Sequence, residues 1–195
     1  MTALLSMAAF ALASSISPGP VNAVALSAGA QHGLAASMRH VSGATVGFTV
    51  LLLLIGLGLQ ELLAHFPNLI DVVKWAGVGF LLYMAYKLAV DNGQLGADKP
   101  ARGPSFVYGA AMQWLNPKAW LASLAGMGAY AATGDGTLVW QFTALYFVIC
   151  YVSIASWAYA GTFLRKYLQE PKRVRLFNRV MATLLAASAL YLLME

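Results

Sequence analysis

The sequence predicts an all-α integral membrane protein with six transmembrane helices, arranged as two inverted three-helix repeats. Hydrophobic residues make up 60% of the 195-residue chain and charged residues 10%, whereas an average soluble domain contains about 25% charged residues. A transmembrane helix needs about 20 mainly apolar residues, so the chain has room for about six spans and no sizeable soluble domain. We therefore expect one membrane domain over residues 1–195, with repeats at about 1–90 and 105–195 and a linker at about 91–104.

The first span is predicted at about residues 3–30 and is broken by a proline motif. Ser17-Pro18-Gly19-Pro20-Val21-Asn22 lies in a run that has no charged residue from Met1 to Met38. Each proline removes a backbone donor and disfavours helical geometry in the residue before it. Because backbone groups freed inside a bilayer must be covered by protein or by a water-filled cavity, the motif is a candidate transport site.

The next two spans are predicted at about residues 41–60 and 69–90. Arg39 and His40 are expected to mark a short polar turn before the second span, with His40 solvated at the membrane edge. No Lys or Arg precedes Arg39, so the positive region of a cleaved signal peptide is missing and the first segment is expected to stay in the protein. In the second span Gly43 and Gly47 form a GxxxG pair, which favours close helix packing.

The second half begins after the linker at residues 91–104, which is rich in Gly and Pro. The fourth span is predicted at about residues 106–131 and contains a second break of the same kind, Leu115-Asn116-Pro117-Lys118. The fifth and sixth spans are predicted at about residues 137–164 and 180–194. Helices 1 and 4 are thus both expected to be interrupted at proline motifs.

The basic residues predict the orientation of the chain. Of the twelve Lys and Arg residues, ten follow spans one, three and five: Arg39, Lys87, Lys99, Arg102, Arg165, Lys166, Lys172, Arg173, Arg175 and Arg179. The positive-inside rule then places both termini outside the cytoplasm. Because each half contains an odd number of spans, the second half enters the membrane from the opposite face, which makes the repeat an inverted one.

The residues around the two breaks form the predicted substrate site. Pro20 and Pro117 occupy favourable first positions of the second half-helices, and Asn116 is a candidate cap for the latter. Free amides at such helix ends carry partial positive charge and suit a carboxylate. The alternative is that both breaks are packing kinks sealed by neighbouring helices. The predicted substrate-binding residues are Pro18, Gly19, Pro20, Asn22, Gln113, Asn116, Pro117 and Lys118.

Three of these side chains have alternative roles. Lys118 is a Lys within a predicted span, and burial of its ammonium group is costly, by about 2.5–3.5 kcal/mol at the centre on insertion scales. It is expected to pair with a substrate carboxylate, to stabilise carbonyls freed by the break, or to change protonation during transport; the alternative is that it reaches the membrane surface. Asn22 and Gln113 are candidates for hydrogen bonds either to the solute or to the broken backbone.

Several function classes have little support. Cys150 is the single cysteine, which rules out an intrachain disulfide, a CxxC redox pair and a four-thiolate zinc site. We expect no metal site and no cofactor. The net charge of +5 comes from loop residues, so it indicates orientation and not nucleic-acid binding. No set of residues for nucleophilic or metal-assisted hydrolysis is present, which argues against an enzyme.

Taken together, the two proline motifs, His32-Gly33, Gly43-x-x-x-Gly47-Phe48 and Lys74-Trp75-Ala76-Gly77 resemble the lysine-exporter-like (LysE/RhtB) family of amino-acid efflux proteins. The resemblance implies a six-helix secondary transporter of the bacterial inner membrane that exports amino acids or close derivatives, driven by the proton gradient. The segment around Gly43 and Gly47 is most similar to members that export cysteine and O-acetylserine.

Two positions depart from the family pattern. Many relatives have an aspartate where this chain has Phe48, and many have two asparagines where it has Val21-Asn22. The missing acid argues against a basic solute such as lysine. It also removes the most obvious proton-coupling group.

The resulting hypothesis is a proton-coupled, alternating-access exporter of a small neutral amino acid or derivative, either cysteine/O-acetylserine-like or homoserine/threonine-like. The alternative is a non-transporting membrane scaffold whose breaks are only kinks. The expected partners of the exporter are an amino-acid solute and membrane lipid. Small-residue helix faces also permit a homodimer.

Overall fold

The computed structural model describes residues 2–59, 68–90, 104–131, 136–165, 167 and 170–194. Within these ranges the chain is helical and contains no strand, which confirms the all-α prediction. The helices are α1 Thr2–Ile16, α2 Pro20–His32, α3 Leu34–Leu54, α4 Asn68–Ala89, α5 Phe106–Trp114, α6 Pro117–Tyr130, α7 Gly136–Arg165 and α8 Pro171–Met194. A π-helical turn, Ile55–Leu59, extends α3. Apart from Pro104, the predicted linker lies outside the described residues.

Two of the described helices are long and apolar enough to cross a membrane, namely Leu34–Gly58 and Gly136–Leu164. Helices α1 and α2 qualify as a third span if they are taken together, but they are bent by 62° at the first proline motif. The break predicted in the first span is therefore present. By length and composition, the described residues account for two or three spans, and the six-span arrangement stays a prediction.

The helices pack in a definite set of pairs. The most extensive contacts are between α2 and α7, between α3 and α5, and between α4 and α8; α3 also packs along α7. A Cβ atom added to Gly43 would lie 1.9 Å from the Phe106 carbonyl oxygen, and one added to Gly47 would lie 2.7 Å from Ala110 Cα. The packing role predicted for the GxxxG pair is thus confirmed, because only glycine allows α3 and α5 to approach this closely.

The beginning of the second membrane helix was predicted wrongly. Helix α3 starts at Leu34, so Arg39 and His40 lie within it and not in a turn. Arg39 is exposed, whereas His40 is only 1% exposed. Successive residues of a helix point about 100° apart, so a charged residue facing outward does not prevent its neighbour from facing the core.

Five aromatic side chains form a continuous group, which we call the aromatic cluster: Phe10, Phe48, Tyr130, Phe142 and Tyr146. Ring centres are 4.5 Å apart for Phe48 and Tyr146 and 5.6 Å apart for Phe142 and Tyr146. The series continues through Tyr130 to Phe10, with centres 5.2 Å and 5.9 Å apart. These tilted and edge-to-face arrangements are the favoured geometries for aromatic pairs. The cluster joins α1, α3, α6 and α7, and it extends from the central part of the bundle to the end of α6 at Tyr130.

Candidate functional site

The first break separates α1 from α2. Helix α1 ends at Ile16 and α2 begins at Pro20, with Gly19 in extended geometry (φ −172°, ψ 174°) at the N-cap position. Gly19 has no side chain to cap the helix, so the amide end of α2 has no side-chain acceptor. Proline at the first helical position lacks an amide hydrogen, which suits a site where that hydrogen has no partner within the helix.

Neighbouring side chains satisfy the carbonyls that the first break frees. The buried Asn22 donates from Nδ2 to the Ser15 carbonyl at 2.8 Å and to the Ser17 carbonyl at 2.9 Å. Trp157 Nε1, on α7, donates to the Ile16 carbonyl at 3.0 Å. Of the two roles considered for Asn22, the structure shows the bond to the broken backbone.

We expect Asn22→Leu to destabilise the protein by about 1–3 kcal/mol, because the half-buried Ser15 carbonyl would lose its donor, while the Ser17 carbonyl would keep only a 3.4 Å bond from Lys118. Thermal unfolding of the purified protein in detergent measures this change. Thr183→Val is the matched control, since it removes a hydrogen bond to a backbone carbonyl (Arg179, 2.9 Å) at an exposed position. If Asn22→Leu unfolded at the wild-type temperature, these bonds would not stabilise the break.

The second break separates α5 from α6. Helix α5 ends at Trp114, and α6 begins at Pro117 with Asn116 as its N-cap. Asn116 Oδ1 accepts a hydrogen bond from the Lys118 amide at 3.2 Å, which confirms the predicted cap. Trp120 Nε1 donates to the freed Trp114 carbonyl at 2.8 Å. The two breaks therefore differ, because α6 caps its own amide end and α2 has no side-chain cap.

Lys118 links the two breaks. Its Nζ donates to Ser17 Oγ at 2.6 Å, to the Pro18 carbonyl at 3.3 Å and to the Ser17 carbonyl at 3.4 Å. Ser17 Oγ in turn donates to the Ser14 carbonyl at 3.0 Å. Among the roles considered for this lysine, the structure shows the bonds to freed carbonyls.

A small cavity of about 50 Å³ lies where the breaks meet, and we call it the central cavity. Five of the eight predicted site residues line it: Gly19, Asn22, Gln113, Asn116 and Lys118. The other three are not among its lining residues. Pro20 and Pro117 are buried at the starts of their helices, and Pro18 faces a separate small cavity that Trp157 also lines.

The sequence did not single out the rest of the wall. It is formed mainly by polar and aromatic side chains of α1, α3 and α7: Ser14, Ser15, Phe48, Tyr146 and Cys150. Ser14 and Ser15 directly precede the first motif, and Phe48 had been noted as a departure from the family pattern. The sequence therefore held some indication that these three residues line the site. Tyr146 and Cys150 offered none, because they reach the cavity only through the packing of α7.

The charge of the cavity lining favours the binding of an anionic group next to Lys118. Lys118 is the one charged side chain among the described residues that line it, and no Asp or Glu is among them. A buried water needs about 10–15 Å³ of such space, so the cavity as it stands holds a few waters. A whole amino acid therefore requires the helices to move apart.

A resident metal finds no ligand set here. No group of three or more His, Cys, Asp or Glu side chains able to hold a metal ion occurs in the part of the chain that the structure describes.

Comparisons with known proteins extend over almost the whole chain. The sequence model of the family described as LysE type translocator matches residues 12–195. The chain is 28% identical over 184 residues to a cysteine/O-acetylserine efflux protein of Salmonella choleraesuis (strain SC-B67), covering 92% of each chain. It is 27% identical over 191 residues to a protein of the same name from Escherichia coli (strain K12), covering 96% of each. No solved structure matches the chain.

Proposed function

The chain belongs to the LysE type translocator family, and from that premise we propose that it is a secondary exporter of a small neutral amino acid or amino-acid derivative. Members of this family are translocators, so the protein is a transporter and not an enzyme. The observation that carries the proposal is the position of Lys118. Its ammonium group bonds across the junction of the two broken helices and lines a cavity where the described lining residues include no acid.

The solute is expected to bind at the junction of the breaks. Its carboxylate would lie near Lys118 and the α2 amide end, which has no side-chain cap and carries partial positive charge. The uncharged wall around Ser15 and Cys150 would face its side chain. A basic solute such as lysine has no carboxylate partner among the described lining residues. Relatives named as cysteine/O-acetylserine efflux proteins support a solute of this size and charge.

We propose the six-span inverted repeat as the arrangement that carries this site. In it α1 and α2 form the first span, α5 and α6 form the fourth, and residues 1–90 and 105–195 are the two repeats of one membrane domain. The helix pairs support it. The first span packs on the fifth and the second on the fourth, and these two pairs would exchange under a twofold axis relating the repeats. The positions of the basic residues support an orientation with both termini outside the cytoplasm, and the bacterial relatives support placement in the inner membrane.

The transport cycle is proposed to be alternating access coupled to the proton gradient. Support comes from the small size of the central cavity, since the helices around it must move apart before it can hold a whole amino acid. The described lining residues include no carboxylate to carry a proton, so the coupling group is expected elsewhere in the bundle. Exposed apolar side chains such as Leu5 and Val152 suit contact with lipid, and a homodimer stays a prediction.

The decisive experiment loads cells or vesicles with a mixture of amino acids and records which of them leave faster when this protein is present. We expect faster loss of small neutral amino acids or their derivatives, with cysteine and O-acetylserine tested first, and no change for lysine. Vesicles without the protein provide the background rate. If no amino acid left faster, the protein would not be an exporter; if lysine did, the proposed solute class would be wrong.

A further inference from the structure

A second and larger chamber, of about 560 Å³, lies between α2, α3, α4 and α5. We call it the basic chamber, after His32, His40 and Lys87 in its lining, which also includes Gln31, Tyr83 and Tyr108. Lys87 Nζ lies 5.7 Å from the centre of the Tyr83 ring. No acidic side chain is among the described residues that line the chamber. Its chemistry therefore favours a solute that carries a carboxylate.

The basic chamber and the central cavity are neighbours, and residues of α2 and α5 line both. On α2, Val24, Ser27 and Ala28 line the chamber, whereas Val21 lines the central cavity one turn before them. On α5, Ala111 lines the chamber and Gln113 lines the central cavity. Three residues on α2 and two on α5 separate the two spaces, so they lie within about one helical turn of each other.

His40 occupies the layer between these spaces. Its side chain lines the basic chamber and is almost fully buried, at 1% exposure. Its Nε2 lies 3.3 Å from the carbonyl oxygen of Val21, the residue that lines the central cavity. A Cβ atom on Gly109 would lie 3.2 Å from His40 Nδ1, so α5 also packs closely against the ring. The imidazole is therefore wedged between α2 and α5.

We propose that the basic chamber is the entrance for carboxylate-bearing solutes and that the His40 side chain, held against the Val21 carbonyl, closes the passage to the central cavity. The Val21 carbonyl accepts the hydrogen bond, so Nε2 carries the proton. The direction of solute movement in this inference rests on the proposed function. The position of His40 as the partition does not.

Cys150 can report whether this passage is open. Cys150 is the single cysteine of the sequence, lines the central cavity and is only 3% exposed. Its thiolate attacks a small, membrane-impermeant, anionic methanethiosulfonate, which matches the charge of the proposed solutes, forming a mixed disulfide and releasing methanesulfinate. The rate of this reaction in vesicles of known orientation measures access to the central cavity from each side of the membrane, whether or not any amino acid is transported.

We expect His40→Ala to accelerate the labelling of Cys150 by about two- to tenfold, the range that corresponds to losing one neutral hydrogen bond. The acceleration should occur only when the reagent is applied on the side of the basic chamber. His40→Gln retains a donor for the Val21 carbonyl and should label slowly, like wild type. His32→Ala is the matched control, because it removes an imidazole from the chamber but not from the partition.

Equal labelling of His40→Ala and wild type, or equal acceleration from both sides of the membrane, would overturn the inference. If His40→Ala did not insert, His40→Ser would serve, since its side chain is also much shorter than imidazole. If His40→Ala showed the expected faster labelling but the protein exported no amino acid, the proposed function would be rejected and the inference about His40 would stand. Export with unchanged labelling would reject the partition alone.

Discussion

Replacement of Lys118 by methionine is expected to reduce export by at least about 100-fold, which corresponds to about 2.7 kcal/mol. The ammonium group donates to Ser17 and to the Pro18 carbonyl, and hydrogen bonds to charged groups contribute about 1.5–3 kcal/mol each. Methionine preserves the length and apolar character of the side chain but removes every donor. The positive charge proposed to receive the solute carboxylate is lost as well. Initial efflux rates from loaded vesicles, normalised to inserted protein, measure the effect.

Two variants show whether the position of the charge matters. Lys172→Met removes an exposed lysine near the start of α8 and should export at the wild-type rate. Lys118→Arg keeps the charge but places a larger, planar group in a small cavity, so we expect partial export at most. If Lys118→Met exported at the wild-type rate, Lys118 would not be part of the binding site and would have only a structural role.

Introduction of valine at Gly161 is expected to prevent stable insertion. A Cβ atom there would lie 2.1 Å from the Leu26 carbonyl oxygen, a distance that no real Cβ contact shows. Across the same interface, a Cβ atom on Gly29 would lie 1.9 Å from the Ala158 carbonyl oxygen. Because backbone atoms and not flexible side chains meet the added group, α2 and α7 would have to separate along their length. Overpacking typically costs about 1–3 kcal/mol, and we expect this site to exceed that range.

The amount of folded protein recovered from membranes, together with its thermal unfolding, measures the loss. Gly128→Ala is the control, since nothing lies within 4 Å of the added Cβ atom and α6 continues on both sides. Alanine is also the better helix former, by about 0.5–1 kcal/mol. Normal insertion and stability of Gly161→Val would show that α2 and α7 do not pack as closely as the structure has them.

The two breaks were predictable because proline acts locally. Pro20 and Pro117 remove donors wherever they occur, and Asn116 directly precedes the helix that it caps, so the bend and the cap both follow from neighbouring residues. The choice of partner for Asn22 was not predictable. Its amide reaches the Ser15 and Ser17 carbonyls only because α1 and α2 are bent by 62°. A side chain near a break has several acceptors within reach, and the tertiary bend selects among them.

Contacts between distant segments could not be predicted from the sequence for the same reason. Lys118 and Ser17 are 101 residues apart and lie within 2.6 Å of each other, and no local pattern marks such a pair. Tyr146 and Cys150 point to the central cavity because α7 packs against α1 and α3. His40 was placed in a turn since it follows Arg39, yet the helix continues through both residues.

The aromatic cluster has a consequence for the timing of a transport cycle. Its ring pairs contribute about 0.5–1.5 kcal/mol each beyond their buried area, whereas the passage at His40 is closed by one neutral hydrogen bond of about 0.5–1.5 kcal/mol. Thermal motion should therefore open the histidine side far more often than the ring side. We therefore expect the transporter without solute to open most often on the side where the solute enters. Release of the solute on the opposite side should be the slow step of the cycle.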